Sequence, residues 1–216
     1  MRPTIVLALC ALAFGCKKKE QPEMNATPGQ PGAMGPGGDI GSAMTGKDMG
    51  TPKTPDQIAT RYQECWGFYN ASNFDQLKTC LAPDVVIAMP GAGTVAKVGV
   101  DAVIADAREQ HAHGDVQLVL VSGKNLVGVV RVGTSTVAQA IVVDDAGRVA
   151  TEADFTGTEP PPKAIVLAAT DEKEKANLAA VPNATFAAGD YVVSRAEGLT
   201  ISRLDAGKVA QSWQFK

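Results

Sequence analysis

The chain has 216 residues, of which 45% are hydrophobic and 20% are charged, and its formal net charge is −3 at pH 7. This negative balance argues against a nucleic-acid-binding protein, which would carry a basic patch or stripe. The chain contains four cysteines and two histidines, so it offers few ligands for a zinc site, which needs three or four that converge.

The first sixteen residues are typical of a bacterial lipoprotein signal peptide. Arg2 gives a basic start, and residues 5–14 form an apolar run that is too short to span a bilayer as a permanent helix. Gly15 is the small residue that lipoprotein processing requires before Cys16. The pattern predicts a protein anchored in the bacterial cell envelope by a lipid on Cys16, facing the periplasm or the cell exterior. An ordinary secretory signal or an uncleaved anchor is the alternative.

Residues 17–53 are rich in Gly, Pro, Met, Ala, Ser and Thr and contain scarcely a branched apolar residue. Such a segment cannot bury enough apolar area to offset the entropy that ordering would cost. We therefore predict a flexible tether with a root-mean-square length of about 30–40 Å between the membrane and the folded part. Residues 54–216 remain, which are enough for one domain with a sizeable core.

A first helix is predicted to begin after Thr54, because Thr-Pro-Asp-Gln can form a capping box with proline at the first helical position. Apolar and aromatic residues then recur at helical spacing and form one face. These residues are Ile58, Tyr62, Cys65, Trp66 and Tyr69. The aromatic members Tyr62, Trp66 and Tyr69 are candidate ligand-binding residues, with a simple core stripe as the alternative.

A second short helix is predicted at residues 74–81, ending before Pro83. Cys65 and Cys80 fall on these two consecutive helices, in a protein expected in a compartment where disulfides persist. Two arrangements remain open. A disulfide between them would contribute about 3 kcal/mol in the chain-entropy model, and the alternative is two separate buried thiols. Neither cysteine has an obvious histidine partner, so thiol catalysis is not predicted.

A strand at residues 84–89 and a third helix at residues 100–111 precede a change to extended periodicity. From Asp115 onward, β-branched runs alternate with turn residues, which predicts an antiparallel meander. The four runs are residues 116–121, 126–132, 137–143 and 148–155. Helices followed by strands favour the α+β class over a doubly wound sheet.

The last part of the chain repeats this pattern in part. A proline run after Glu159 interrupts the strands, and a charged helix at residues 171–181 precedes a second extended region at residues 185–215. Residues 141–155 and 201–215 share a strand, an Asp-Ala-Gly turn, a basic residue and a second strand. We interpret residues 159–216 as a degenerate partial repeat, which either completes the first sheet or stands apart. Chance recurrence of a common hairpin is the alternative.

Several motifs follow one another in a characteristic order between residues 54 and 155. They are Tyr62-x-x-Cys65-Trp66-x-x-Tyr69-Asn70-Ala71 with Phe74-Asp75, then Ala82-Pro83-Asp84, Gly99-x-Asp101-Ala102 and Leu118-Val-Leu-Val-Ser-Gly123. This order resembles the SnoaL-like polyketide or ester cyclase branch of the nuclear-transport-factor-2-like (NTF2-like) superfamily. The resemblance implies a curved antiparallel sheet that N-terminal helices wrap into a cone, over residues 54–158, with a pocket whose lining varies between members.

Cyclases of this branch place a carboxylate, often with a histidine, in the pocket as acid/base groups. By this resemblance Asp154 is the candidate catalytic residue, at a strand end near the pocket mouth, where burial could raise its pKa. The alternative is an exposed strand aspartate. Two departures argue against an active site: Ala153 stands where a tryptophan is expected, and a very short segment joins the runs at 126–132 and 137–143.

We therefore predict non-catalytic binding of a small apolar ligand or a protein partner, with no cofactor. A metal site is not predicted, because His111 and His113 point apart on a helix and no cluster of ligands completes a site. The alternatives are a cyclase- or isomerase-like enzyme that uses Asp154, and a structural envelope module that forms a homodimer through an open sheet face. Because one fold hosts many activities, the resemblance does not decide between them.

Overall fold

The computed structural model describes residues 54–89, 96–110, 112–157, 159–168 and 171–216. The predicted signal peptide at residues 1–16, the lipidation residue Cys16, the tether at residues 17–53 and His111 lie outside the described residues. Within the described part, no helix is long and apolar enough to cross a membrane.

The described residues form four helices: α1 (Pro55–Asn70), α2 (Phe74–Lys78), α3 (Val100–Glu109) and α4 (Asp171–Ala180). The start of α1 follows from its sequence. The Thr54 side chain accepts a hydrogen bond from the Gln57 backbone N–H at 3.3 Å, and the Gln57 side chain accepts one from the Thr54 backbone N–H at 3.1 Å. This capping box, with Pro55 in the first turn, satisfies backbone donors that a helix start leaves unpaired.

In the part of the chain that the structure describes, seven strands form the first sheet, in the spatial order β2-β1-β6-β5-β4-β3-β7. Their bounds are β1 Leu81–Ala88, β2 Lys97–Val98, β3 Gly114–Ser122, β4 Asn125–Val132, β5 Ser135–Val143, β6 Val149–Gly157 and β7 Ala164–Leu167. The meander from β3 to β6 is antiparallel throughout. This arrangement, with the helices that precede it, confirms the predicted α+β class.

The sheet is nevertheless mixed rather than wholly antiparallel. β1 pairs with β6 in parallel, and β7 pairs with β3 in parallel, because long connections bring these strands together from distant parts of the chain. β1 also begins three residues earlier than the predicted strand at 84–89. A register shift between Leu81 and Val86 accommodates Pro83, which cannot donate a ladder hydrogen bond.

A second sheet contains β8 (Ala184–Ala188), β9 (Tyr191–Arg195), β10 (Leu199–Asp205) and β11 (Lys208–Phe215), in the order β11-β10-β9-β8. Residues 159–216 thus add one strand, β7, to the first sheet and form the second sheet with the others. Side chains of the two sheets pack together in one cluster, which includes Leu118, Val129, Phe155, Phe186, Ile201 and Phe215. The origin of this region as a repeat stays a prediction.

The opposite face of the first sheet is covered by α1. Ile58 and Tyr62 pack there on Val119, Val121 and Ile141. β3 is buried on both faces, since Leu118 and Leu120 face the second sheet while Val119 and Val121 face α1, and all four are 0% exposed.

A disulfide helps to hold the helical layer in place. It joins Cys65 of α1 to Cys80, the residue before β1, with a Cα–Cα distance of 6.0 Å. Both cysteines belong to a cluster in which α2 and α3 pack on β1. The first three helices, the first sheet and the second sheet therefore form successive layers, with α1 fixed over the centre of the first sheet. The fourth helix, α4, packs on the outer face of the second sheet, where Leu178 meets Ala187 and Val192.

Candidate functional site

A polar cluster lies between α1 and the first sheet. Gln139 of β5 pairs with Asp154 of β6, and Ile141 of β5 pairs with Glu152 of β6. Because residues two apart in a strand share a face, Gln139, Glu152 and Asp154 all project from the same face of the sheet. This is the face that α1 covers, since Ile141 packs in the α1 cluster.

The amide of Gln139 is the centre of this cluster. Its Oε1 atom accepts hydrogen bonds from the Tyr62 hydroxyl at 2.6 Å and from Trp66 Nε1 at 3.1 Å. Its Nε2 atom donates to Glu152 Oε1 at 2.5 Å and to Asp154 Oδ1 at 3.3 Å. The geometry joins two aromatic side chains of one helix to two carboxyl groups of one strand through a single amide.

Two glycines allow the aromatic rings to come this close to the sheet. Gly128 of β4 pairs with Gln139, and a Cβ atom at Gly128 would lie 2.7 Å from Tyr62 Cε1 and nearer still to the hydroxyl. A Cβ atom at Gly114 would lie 2.8 Å from Trp66 Cε3. Real Cβ atoms do not approach other atoms so closely, so neither ring could keep its position over a larger residue.

The C-terminal end of α1 is also fixed to the sheet at Gly114. The Asn70 side chain donates to the Gly114 carbonyl at 2.8 Å and accepts from the Gly114 backbone N–H at 2.9 Å. These two hydrogen bonds set the position of α1 one turn beyond Trp66. The orientation of Trp66 over the cluster is therefore determined by backbone contacts as well as by packing.

The two carboxyl groups influence each other's protonation. Burial, followed by the charge of Asp154, raises the pKa of Glu152 well above its usual range. Burial also raises the pKa of Asp154, whereas hydrogen bonds from Glu152 and Gln139 oppose that rise. Both shifts favour the protonated form, so the pair should keep a proton to a higher pH than two solvated carboxyl groups would. Both residues are half-buried, so the pair retains some contact with solvent.

Tyr62 stays a neutral hydrogen-bond donor in this setting. Burial raises the pKa of its hydroxyl well above the ordinary value of 10.0, and the nearby charge of Glu152 raises it further. The Tyr62 side chain is almost completely buried. Its hydroxyl therefore donates a hydrogen bond to Gln139 and does not ionise in the physiological pH range.

The structure brings together three of the four predicted site residues. Asp154 lies inside β6 rather than at a strand end, and it is half-buried. Tyr62 and Trp66 reach it through Gln139. Tyr69 does not join them, because its hydroxyl accepts a hydrogen bond from the Ala112 backbone at 3.3 Å and its ring packs in the cluster of α2, α3 and β1.

Sequence reasoning missed Glu152 and Gln139. The signal for Glu152 was present, since carboxylates two residues apart in a strand lie on one face and influence each other's charge. Gln139 stands between apolar neighbours in a strand, at a position where a polar side chain needs a partner if it is buried. Every buried side-chain nitrogen and oxygen in the described part has a hydrogen-bond partner.

The space around the cluster is limited on its inner side. A cavity of about 20 Å³ lies beside Tyr62, between Ile58, Cys80 and Ile141, and it holds about one water molecule. This cavity is too small for an organic ligand. Among the residues that the structure describes, no group of three or more His, Cys, Asp and Glu side chains could hold a metal ion.

No family model matches the chain, and a comparison with curated proteins finds no match. Solved structures include an NTF2-like protein of unknown function from Burkholderia xenovorans, with 15% identity, a TM-score of 0.45 and coverage of 52% of this chain and 91% of that one. A SnoaL-like protein of unknown function from Burkholderia thailandensis has 15% identity and a TM-score of 0.41, covering 46% of this chain and 94% of that one.

A third solved structure is a steroid delta-isomerase from Pseudomonas aeruginosa, with 21% identity, a TM-score of 0.39 and coverage of 46% of this chain and 78% of that one. The first two of these neighbours are described as NTF2-like and SnoaL-like proteins. At these identities and TM-scores the similarities carry no argument about activity.

Proposed function

We propose that the cluster around Gln139 binds a small, mainly apolar ligand through one neutral polar group. The single observation that supports this most is the pair of half-buried carboxyl groups, Glu152 and Asp154, held by one amide. Titratable groups with perturbed pKa values concentrate at functional sites, because stability alone gives little reason to bury them. The proposal extends to a protein held at the bacterial cell envelope by a lipid on Cys16, as the first 53 residues predict.

The protonation of the pair indicates which ligands fit. A protonated Glu152 can donate a hydrogen bond to a carbonyl or hydroxyl oxygen, and an ionised Asp154 can accept one from a hydroxyl. A carboxylate ligand would meet the charge of Asp154 in surroundings that screen it poorly. The half-buried rings of Trp66 and Tyr69, in edge-to-face contact at 5.2 Å, offer apolar surface nearby. We therefore expect neutral ketones or alcohols to bind and anions of the same skeleton to be excluded.

One observation favours a second candidate, an enzyme that transfers a proton within a bound ketone. The pair combines an acid, Glu152, with a base, Asp154, on adjacent positions of one face. A buried carboxyl group with a raised pKa beside a second carboxyl group is a common arrangement for acid–base catalysis. In this reading Asp154 would remove a proton beside the carbonyl, and Glu152 would hydrogen-bond to the carbonyl oxygen.

Trp66 offers a direct test of ligand binding. The chain has two tryptophans, so a Trp213→Phe background leaves Trp66 as the single fluorescent indole, hydrogen-bonded to Gln139. We expect a neutral cyclic ketone or alcohol to change Trp66 emission with a saturable dependence, and its carboxylate counterpart to leave it unchanged. Native mass spectrometry of protein from its own host would detect a copurified ligand. A ligand-free mass and no response to either class of compound would refute the binding proposal, and a mass of two copies would support a homodimer.

Asp154→Asn separates binding from catalysis. Asparagine keeps an acceptor for Gln139 but cannot act as a base. If the protein only binds, this variant keeps its affinity within a few-fold and hydrogen–deuterium exchange beside the ketone carbonyl stays at the rate in buffer. If the protein is an enzyme, the native chain accelerates that exchange and Asp154→Asn abolishes the acceleration. Asp205→Asn, at an exposed residue at the end of β10, is the matched control.

The anchor is tested separately on the full chain expressed in bacteria. We expect labelled palmitate to enter the protein and the protein to fractionate with membranes, and Cys16→Ser to lose both properties. Cys10→Ser, which changes the other cysteine of the predicted signal, should retain them. Release of an unacylated native protein into the soluble fraction would contradict the proposed anchor.

A further inference from the structure

The amide of Gln139 has one orientation that satisfies all of its partners. The indole N–H of Trp66 can only donate a hydrogen bond, so the atom 3.1 Å from it must be the amide oxygen. The Tyr62 hydroxyl, 2.6 Å from the same atom, can donate or accept and does not by itself determine the orientation. Trp66 therefore distinguishes the two ends of the amide.

This orientation determines which carboxyl oxygens are occupied. With Oε1 facing α1, both hydrogens of Nε2 face the carboxyl groups. One hydrogen is donated to Glu152 Oε1, with an N···O distance of 2.5 Å. The other is donated to Asp154 Oδ1, with an N···O distance of 3.3 Å. A carboxyl oxygen that accepts a hydrogen bond from an amide N–H is the less favourable of the two oxygens for protonation. The oxygens left to carry the proton are Glu152 Oε2 and Asp154 Oδ2.

We propose that Gln139 is the positioning residue of this site: oriented by Trp66, it occupies one oxygen of each carboxyl group and confines their shared proton to the other two oxygens. The consequence for function, which rests on the proposed binding of a neutral ligand, is that the pair presents its proton only from Glu152 Oε2 or Asp154 Oδ2. A flexible amide would let the proton exchange between four oxygens, and the hydrogen bond to a ligand would lose its fixed direction.

The residues that face the two carboxyl groups allow the titration of this pair to be measured separately from other titrations. Tyr62 and Trp66 face it from α1, Gln139 and Ile141 face it from β5, and Ile87 of β1 pairs with Glu152 from the other side. Tyr62 is the titratable group among these neighbours, and burial keeps its hydroxyl protonated. A change of carboxyl signals with pH at this site therefore reports on Glu152 and Asp154.

The test is a nuclear magnetic resonance titration without ligand, using chain labelled with ¹³C in the side-chain carboxyl groups and with ¹⁵N in glutamine. In the native chain we expect one set of Gln139 amide signals with two distinct, protected hydrogens. Gln139→Leu should move the upper apparent pKa of the pair upward by about one pH unit, because a hydrogen bond to the ionised form is lost. Well-dispersed backbone spectra would show that the fold is retained.

Two single substitutions on α1 provide a matched comparison. In Trp66→Phe the amide loses the donor that fixes its direction, so we expect a second set of Gln139 signals and an upward shift of the same pKa. In Tyr62→Phe the indole still fixes the amide, so one set of signals should remain. A purely structural role for Gln139 would give equal effects for both variants.

The proposal is overturned if Gln139→Leu leaves the upper pKa unchanged or lowers it, or if Trp66→Phe keeps a single set of Gln139 signals. If a variant does not fold, the native chain still tests the proposal. Rapid exchange of the two Gln139 amide hydrogens with water would contradict a fixed orientation. These measurements need no ligand, so they can succeed while the ligand test fails. They can also fail while neutral ligands bind normally, which would overturn the positioning role alone.

Discussion

Gly128→Ala should displace Tyr62 from the site and destabilise the protein. The new Cβ atom would lie 2.7 Å from Tyr62 Cε1, the most distant of three ring and hydroxyl atoms that it meets. Carbon atoms in contact lie about 3.5–4.0 Å apart, so the ring must move by roughly 1 Å or more. Overpacking of this kind costs about 1–3 kcal/mol, and loss of the 2.6 Å hydrogen bond to Gln139 adds about 1 kcal/mol. We expect a total of about 2–4 kcal/mol.

Equilibrium unfolding in urea, followed by circular dichroism, measures this loss as a lower midpoint at an unchanged slope. Gly67→Ala is the matched control, because Gly67 lies on the exposed side of α1 and a Cβ atom there meets nothing within 4 Å. Alanine is the better helix former, so this control should stabilise the protein by about 0.5–1 kcal/mol. The two glycine substitutions thus have opposite predicted signs.

A double-mutant cycle identifies the cause. With Tyr62→Leu the ring and hydroxyl are gone, and Gly128→Ala should then cost at least 1 kcal/mol less than in the native background. An equal cost in both backgrounds would mean that the added methyl group disturbs β4 itself. A neutral effect of Gly128→Ala in the native chain would refute the close packing of Tyr62 on the sheet.

Three further predictions concern stability. Glu152→Gln imitates the protonated acid, and because the folded pKa of Glu152 is raised above its ordinary value of 4.5, native stability falls as pH rises between those two values. Above pH 4.5 the variant should therefore be more stable than the native chain, by about 1.4 kcal/mol for each pH unit up to the folded pKa. At lower pH the two should be equally stable, and urea titrations at several pH values measure both. Replacing Cys65 and Cys80 by alanine opens a loop with a sequence separation of 15 and should cost about 3 kcal/mol, and reduced native protein should unfold at a similar urea midpoint. Phe215→Ala removes a side chain that is 1% exposed between the two sheets and should cost about 3–5 kcal/mol by calorimetry, whereas exposed Gln214→Ala should change stability by less than about 0.5 kcal/mol.

The sequence predicts those parts of the fold that depend on local patterns. The capping residues of α1, its apolar face and the turns of the meander each follow from a few neighbouring residues. The parallel pairings of β1 with β6 and of β7 with β3 were not predicted, because strands distant in the chain leave no mark of their pairing on local periodicity. The prediction placed the start of β1 too late for the same reason, since pairing with β6 extends it through Pro83.

The candidate site divides in a similar way. Asp154 was named from a resemblance, and Tyr62 and Trp66 from helical spacing, but their connection passes through Gln139. From the sequence alone, a glutamine in a strand is expected to face solvent, because most glutamines are exposed. Only the structure shows that a helix covers Gln139. Gly128 carried a signal, since glycine inside a strand often marks a close approach of another group. Which group approaches depends on how α1 crosses the sheet, and that is a tertiary property.

The order of strands has a consequence for the way the protein folds. Strands β3 to β6 pair with their neighbours in the chain, whereas the pairing of β1 with β6 closes a long loop at a greater entropic cost. We therefore expect the meander to form first, with Glu152 and Asp154 still hydrated. The helical layer, linked to β1 through Cys65 and Cys80, docks afterwards and removes most of the water around the two carboxyl groups. An alkaline medium, which favours the charged carboxylates, should thus slow this late docking step more than it slows the formation of the strands.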